Sequence, residues 1–182
     1  MTLYEKKLSS EQIFDGKVVK LFVDKVELPD GKEAIREIVR HPGAVCVIPV
    51  TENNEVIMVR QYRYAFETEM LEVPAGKLEP GEDPLDAVKR ELEEESGVVA
   101  GKIEYLGEIF TTVAIFDEKI HTYLATELEF KSSHPDEDEF LEVEKIPLDT
   151  LVQMVMNGRI RDSKTQIAIL KAHKILSERK NG

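Results

Sequence analysis

The sequence predicts a mixed α/β (α+β) fold, in which helices pack on both sides of mixed sheets. Hairpin-like strand patterns come first, one amphipathic helix lies in the middle, and two further helices close the chain. The chain has 182 residues, of which 42% are hydrophobic, and this suits one compact domain with a small appendage.

The N-terminal part predicts a small antiparallel sheet. Residues 17–28 and 32–40 have strand patterns, and the Pro-Asp-Gly segment between them is a turn signal. A His-Pro-Gly segment then ends at Gly43. We therefore expect an N-terminal β-sheet domain at residues 1–42 and a larger domain at residues 43–182.

The larger domain begins with strands. The apolar segment 43–50 predicts one strand, and residues 56–63 predict its hairpin partner across a polar turn. Residues 70–73 predict a short extended segment. The single cysteine, Cys46, excludes an intrachain disulfide, and its apolar neighbours predict a buried strand thiol.

The clearest helix begins near residue 84. Asp83 can cap its N-terminus, Pro84 suits the first helical position, and Asp86 adds an acid to the first turn. Gly97 predicts the end of the helix. The predicted apolar stripe consists of Leu85, Val88, Leu92 and Val99.

The rest of the chain predicts two strands, an acidic loop and two helices. The strands lie near residues 102–110 and 119–130, and the loop follows at residues 132–139. The helices cover residues 148–157 and 164–178, with Asp162 or Ser163 as the cap of the second.

The charge narrows the range of partners. A net charge of −12 repels nucleic-acid backbones and anionic lipids, so we expect phosphates to be handled by local arginines and metal ions. No apolar run approaches the ~20 residues of a membrane span. The first ten residues contain no apolar signal core. We therefore expect a cytoplasmic protein that binds neither nucleic acid nor membranes.

The acidic residues of the central helix suggest a metal site. Glu91, Glu94 and Glu95 span only about 100° of the helix circumference, beside the apolar stripe. Like charges at this spacing destabilise a helix unless something compensates. A hard cation such as Mg²⁺ or Mn²⁺ would compensate, whereas the histidines lack the paired spacing of a zinc site. A solvated acidic face, paired with Lys89 and Arg90, is the alternative.

The segment 76–98 adds a spacing pattern to the acidic residues. Its defining positions are Gly76, Glu82, Arg90, Glu91, Leu92, Glu94, Glu95, Gly97 and Val98. This pattern resembles a complete Nudix box. The flanking strand order also resembles the three-layer α/β/α sandwich of the Nudix hydrolase family.

The resemblance implies specific roles in this segment. Glu91, Glu94 and Glu95 would be metal ligands, together with the carbonyl oxygen of Ala75. Arg90 would orient the carboxylates, and Glu94 and Arg90 would belong to the catalytic set. The family chemistry is attack of water on a nucleoside diphosphate linked to another group, with Mg²⁺ or, as a substitute, Mn²⁺.

Three further stretches resemble the ADP-ribose pyrophosphatase branch of that family. They are LEVPAGKLEPGE at 71–82, VRQYR at 59–63 and the N-terminal run at 25–40, which contains Arg36. The resemblance implies cleavage of ADP-ribose to AMP and ribose 5-phosphate, with Arg36, Arg63 and Glu72 as substrate-binding residues. It also implies a domain-swapped homodimer, in which the N-terminal domain brings Arg36 to the site of the partner subunit.

The same resemblance places the catalytic base in the acidic loop. Glu139 is the better match, because it directly precedes a Phe-Leu-Glu-Val strand, and Glu137 is the second choice. A base on a flexible loop would reach the attacking water when the loop closes.

One departure from the branch leaves the substrate open. Many members have a Ser-Pro-Gly turn downstream of the box, but residues 113–116 read Val-Ala-Ile-Phe. The alternative substrate is therefore another nucleotide sugar, such as a GDP- or UDP-hexose. A catalytically silent domain that senses nucleotides or binds a regulatory partner is less favoured, because the box is complete.

Overall fold

The computed structural model describes residues 2–131 and 140–181. This part of the chain forms ten strands, three α-helices and one short 3-10 helix, Tyr64–Phe66. The strands are β1 (Lys6–Asp15), β2 (Lys20–Glu27), β3 (Glu33–Arg40), β4 (Ala44–Pro49), β5 (Glu55–Arg63), β6 (Thr68–Glu72), β7 (Ala75–Lys77), β8 (Val98–Phe110), β9 (Lys119–Phe130) and β10 (Leu141–Pro147). The helices are α1 (Pro84–Ser96), α2 (Leu148–Met156) and α3 (Ser163–Asn181).

The chain divides into two compact units. The first consists of Met1–Gly43 together with Phe110–Lys119, and the second of Ala44–Ile109 together with Ile120–Gly182. The first unit thus takes in a segment from the middle of the chain. The domain boundary expected between residues 42 and 43 stays a prediction.

The first unit is built on an antiparallel sheet in the order β1-β2-β3. β2 and β3 lie where the sequence predicts them, and Asp24 and Val26 of β2 are buried. β1 was not predicted, because every residue along it is exposed and it has no alternation of apolar and polar side chains. It pairs with β2 across two irregularities in register, one of them between Lys7 and Ser9.

The second unit contains two sheets. One has the order β7-β4-β9-β8, with β4 and β9 parallel, and the other has the order β10-β5-β6. The predicted hairpin between β4 and β5 is therefore wrong, since only one bridge, between Val50 and Val56, joins their ends. The polar turn carries the chain from one sheet to the other, and Ile48 and Met58 meet in the core between the sheets.

Both faces of β4 are covered, and for this reason all six of its residues are buried. Val45 and Val47 point to one side and pack in a cluster with Leu92 of α1. Cys46 points to the other side, into a cluster that contains Ile169 of α3. Helices therefore flank the sheet on both sides, which confirms the predicted fold class, and Cys46 is a buried strand thiol as expected.

The three helices match their predicted positions to within a few residues. The predicted stripe of α1 is wrong at both ends: Leu85 is 40% exposed, and Val99 belongs to β8 rather than to the helix. Among the described residues, no helix combines the length and the apolar character that a membrane crossing requires.

Candidate metal and substrate site

Helix α1 has defined ends, and these fix the positions of its acidic residues. The Asp83 carboxylate accepts the backbone N–H of Leu85 at 2.8 Å, and Pro84 occupies the first turn. At the other end, Gly97 adopts a left-handed conformation with φ 65° and donates its N–H to the carbonyl of Glu93. Because both ends are set by local contacts, the side chains between them keep fixed directions.

Glu91 and Glu95 lie one turn apart on the buried side of α1. Their exposed fractions are 9% and 3%. Glu95 accepts the backbone N–H of Ala75 at 2.9 Å. The Glu91 carboxylate fills the space beside Gly76 so completely that a Cβ built on this glycine would overlap it. Two carboxylates of the helix are thus packed against the short strand β7.

Arg90 connects the helix to the loop before it. Its guanidinium binds both carboxylate oxygens of Glu82, at 2.9 and 3.0 Å. One of its terminal nitrogens also donates to Glu91 at 2.8 Å and to Glu94 at 3.0 Å. The hydrogen bond from Arg90 makes the largest contribution to lowering the pKa of Glu82, and the bond from the backbone N–H of Glu79 lowers it further. Arg90 therefore compensates the crowding of like charges on α1 in this structure.

The donor set fits a hard divalent cation by its chemistry. Glu91, Glu94, Glu95 and the carbonyl oxygen of Ala75 offer oxygen atoms only, which Mg²⁺ and Mn²⁺ prefer. Within residues 2–131 and 140–181, however, no three His, Cys, Asp or Glu side chains come together as a ready-made metal site. Glu91 and Glu94 are instead turned to Arg90. The three carboxylates share one region of the helix but do not converge on a point.

A second charged cluster surrounds Glu72 at the end of β6. This carboxylate is only 1% exposed. Arg63 donates to both of its oxygens, at 2.7 and 2.6 Å, and the Lys164 ammonium reaches one of them at 2.5 Å. Lys164 also binds Asp162 at 3.1 Å. Two of the predicted substrate-binding residues, Arg63 and Glu72, are thus paired with each other.

The charges of this cluster support one another. Burial alone would raise the pKa of Glu72, but Arg63 and Lys164 outweigh it and hold the pKa below its usual value. Burial alone would likewise lower the pKa of Lys164, but Asp162 and Glu72 outweigh it and raise that pKa. The surroundings of Glu72, Arg63 and Lys164 therefore favour the charged form of each of these three side chains.

Sequence reasoning missed Lys164 as a member of this cluster. Lys164 and Glu72 are 92 positions apart along the chain, and no motif connects them. The only local signal was the cap of α3, where the Asp162 carboxylate accepts the backbone N–H of Thr165 at 2.9 Å. That signal predicts where α3 begins, but it does not predict that Lys164 contacts Glu72 of β6.

Arg36, the third predicted substrate-binding residue, lies on β3 in the first unit. Its guanidinium donates to both carboxylate oxygens of Glu5, at 2.9 and 2.6 Å. The side chain is 39% exposed. Arg36 thus stands at the surface of the N-terminal sheet, paired within its own unit.

The segment that departs from the Ser-Pro-Gly pattern also belongs to the first unit. It turns back on itself, with the N–H of Ile115 donating to the carbonyl of Thr112 at 3.1 Å. The carbonyl of Ile115 accepts the N–H of Val39 at 2.7 Å, and the Asp117 carboxylate binds Arg40 at 2.8 Å. The segment is therefore fixed to β3 by backbone and side-chain bonds.

The two candidates for the catalytic base, Glu139 and Glu137, lie outside the described residues. Glu139 stays the first choice and Glu137 the second. The described chain resumes at Phe140, directly before β10, and β10 pairs with β5 in antiparallel register.

The second unit also contains a cavity of about 220 Å³. Arg60, Met70 and Asp162 are among the residues that line it, but no residue of β7 or α1 is. The cavity therefore adjoins the Glu72 cluster through Asp162 and does not include the candidate metal residues.

Two family models together match most of the chain. Residues 40–166 match the NUDIX domain, and residues 5–39 match the nucleoside diphosphate sugar hydrolase N-terminal domain. A methanol dehydrogenase activator of Bacillus methanolicus is 50% identical over 167 residues, which cover 91% of this chain and 90% of that protein. An ADP-ribose pyrophosphatase of Bacillus subtilis is 45% identical over 170 residues, with 92% of each chain covered.

The fold has a close match among solved structures. The crystal structure of an ADP compounds hydrolase superimposes with a TM-score of 0.87 over 98% of each chain, at 22% sequence identity. At this identity the match concerns the fold. The family match in sequence extends over well over half of the chain and includes the whole segment 76–98. It confirms the resemblance, and the protein belongs to the NUDIX family.

Proposed function

We propose that this protein hydrolyses the diphosphate bond of ADP-ribose, with AMP and ribose 5-phosphate as products. The observation that carries the proposal is the packing of Glu91 and Glu95 against Ala75 and Gly76, which puts two buried carboxylates beside the loop of the box. The choice of ADP-ribose is supported by the relative from Bacillus subtilis.

Hydrolases of this family generally depend on a divalent metal ion. We propose Mg²⁺, with Mn²⁺ as a substitute, held by Glu91, Glu94, Glu95 and the carbonyl oxygen of Ala75. The bound cation would supply charge neutralisation for the diphosphate and activation of water. Arg90 would keep the carboxylates oriented, through the bonds that it makes to Glu91 and Glu94.

The test is AMP release from ADP-ribose in the presence of Mg²⁺. We expect near-complete loss of activity in Glu95→Gln and in Glu94→Gln, because each removes a charged oxygen donor while keeping the side-chain shape. Glu93→Gln is the matched control on the same helix: Glu93 pairs with Lys131 at 3.0 Å on the surface, and its variant should keep its activity. Full activity in the first two variants would refute the metal assignment.

The alternative substrate is another nucleotide sugar, such as a GDP- or UDP-hexose. The Val-Ala-Ile-Phe sequence at 113–116 favours it, because the Ser-Pro-Gly turn of many branch members is replaced there. The match of residues 5–39 to a nucleoside diphosphate sugar hydrolase domain is compatible with both substrates. A comparison of kcat/KM over a panel of nucleotide sugars decides between the substrates. A preference for a hexose would overturn ADP-ribose.

A role in activating a partner enzyme is the second candidate function. It is motivated by the relative from Bacillus methanolicus, whose name describes an activator. Tight binding of ADP-ribose in calorimetry, with no AMP released over hours, would favour this role over hydrolysis. Release of AMP at a steady rate would support hydrolysis as the primary activity.

We further propose a domain-swapped homodimer, in which Arg36 acts at the site of the partner subunit. Arg36 lies in the N-terminal unit, and its side chain is partly exposed. Mixing Arg36→Ala protein with Glu95→Gln protein and refolding them together should restore part of the activity, since mixed dimers would contain one intact site. Lack of any recovery, with dimers present by light scattering, would contradict action in trans.

A further inference from the structure

Glu72 has two cationic partners that differ in how firmly they are held. The Arg63 guanidinium approaches from a partly open side, and its side chain is 37% exposed. The Lys164 side chain is only 12% exposed. Arg63 thus borders on solvent, whereas Lys164 is enclosed.

Lys164 is also tied to its own helix. Its ammonium lies between the carboxylates of Glu72 and Asp162, and Asp162 at the same time caps α3 through the N–H of Thr165. The Thr165 hydroxyl in turn accepts the buried N–H of Val73, at 3.1 Å. Two consecutive residues of α3 therefore hold Glu72, the last residue of β6, and Val73, which follows it.

A buried carboxylate needs a counter-charge at all times, because an unpaired charge in the interior is strongly unfavourable. If Arg63 were the only partner of Glu72, it could not leave without this cost. With Lys164 in place, Glu72 remains paired when Arg63 turns away. A released guanidinium can bind a phosphate group with two parallel hydrogen bonds, as it now binds the carboxylate.

We infer that Lys164 is a positioning residue that keeps Glu72 neutralised, so that Arg63 is released to bind a diphosphate oxygen of the substrate. The inference rests on the proposed function, since it needs a diphosphate substrate. It gives Glu72 the role of an exchangeable holder for Arg63, in place of the direct substrate contact that the resemblance implies. It also makes substrate affinity depend on Lys164, which does not touch the substrate.

The test compares Lys164→Met with Lys174→Met. Lys174 is a matched control, because it lies on the same helix but at the surface, paired with Glu178. In Lys164→Met, Arg63 should stay bound to Glu72, so the Kd for ADP-ribose, measured by calorimetry with a chelator present, should rise roughly tenfold or more. KM should rise in parallel while kcat changes little, because three of the four candidate metal ligands, Glu91, Glu94 and Glu95, lie on α1.

A merely structural role of Lys164 predicts a different result. It would lower the melting temperature and the active fraction but leave the Kd of the folded protein unchanged, and such a result overturns the inference. The double variant Lys164→Met with Glu72→Met separates the two roles further. Since it removes the holder as well, Arg63 should be free, and the Kd should be clearly lower than in Lys164→Met.

The double variant also decides the outcome if Lys164→Met does not fold, because replacing a whole buried ion pair by apolar residues is tolerated better than replacing one partner. Weak binding in a folded double variant, or failure of both variants to fold, overturns the inference. Failure of the proposed function has a separate signature in the wild type. Normal wild-type hydrolysis with an unchanged Kd in Lys164→Met refutes the inference alone, whereas a wild type that neither binds nor cleaves ADP-ribose refutes both.

Discussion

At the scale of single residues, Gly76 is the position where the absence of a side chain has the clearest consequence. Its backbone is covered by the Glu91 carboxylate, which occupies the place of a Cβ. The strand pairing of Gly76 with Val45 keeps this backbone from moving aside. Any side chain at residue 76 must therefore displace Glu91.

We predict that Gly76→Ala weakens both metal binding and the fold. The displaced Glu91 carboxylate would no longer lie beside the loop, so the Mg²⁺ concentration needed for half-maximal AMP release should rise at least about tenfold. Overpacking at one methyl group should cost about 1–3 kcal/mol of unfolding free energy. Activity is measured over a Mg²⁺ titration, and stability by urea unfolding.

Gly101→Ala is the control for this change. Gly101 lies in β8, where an added Cβ would meet the exposed Glu127 side chain at 3.0 Å and require only a small shift. This variant should keep the Mg²⁺ dependence of the wild type. An unchanged Mg²⁺ dependence in Gly76→Ala as well would contradict the placement of Glu91 in the metal site.

At the scale of elements, α3 is linked to the end of β6 by a buried side-chain bond to the backbone. The Thr165 hydroxyl accepts the N–H of Val73, and Thr165 and Val73 are both fully buried. We predict that Thr165→Val, which keeps the shape but leaves this N–H without its acceptor, lowers the free energy of unfolding by about 1–3 kcal/mol. Urea unfolding followed by circular dichroism measures the difference.

Thr122→Val is a comparable substitution in β9. Thr122 is also fully buried, but its hydroxyl meets the Cys46 thiol at 3.6 Å, and a thiol is a weak donor. The loss of stability should therefore be smaller than in Thr165→Val. Equal losses would mean that the bond to Val73 adds nothing beyond the cost of removing a buried hydroxyl.

The elements also show which parts of the molecule could be predicted from the sequence. Helix α1 could be, because Asp83 and Gly97 are local signals whose effect does not depend on distant residues. The strand partners of β4 could not be predicted from the sequence, because β7 and β9 come much later in the chain. Their pairing with β4 depends on how the whole unit packs helices against both faces of the sheet. The box could likewise be recognised from the sequence, because its residues are close together along the chain. The contact of Lys164 with Glu72 could not be predicted in this way, because folding alone brings these two residues together.

At the scale of the whole molecule, the chain has 36 Asp and Glu residues, and those that are paired in the folded state decide its stability in acid. Several of them have partners that lower their pKa values in the folded state. The members of this set are Asp30, Glu72, Glu82, Glu104 and Asp117. The folded protein therefore holds protons on these groups less tightly than the unfolded chain does.

The sign of the resulting pH dependence follows from Glu72, the most buried of the set. Its contribution to stability is present above the usual pKa of 4.5 and is lost as the pH falls through the lower folded-state value. We predict that the free energy of unfolding decreases as the pH falls below 4.5, and that Glu72→Gln makes this decrease less steep although it lowers stability at pH 7. Urea unfolding at a series of pH values tests both parts. Glu93→Gln alters only a surface pair with Lys131, so its free energy of unfolding should depend on pH as in the wild type. If Glu72→Gln also shows the wild-type pH dependence, protonation of Glu72 does not contribute to the loss of the fold in acid.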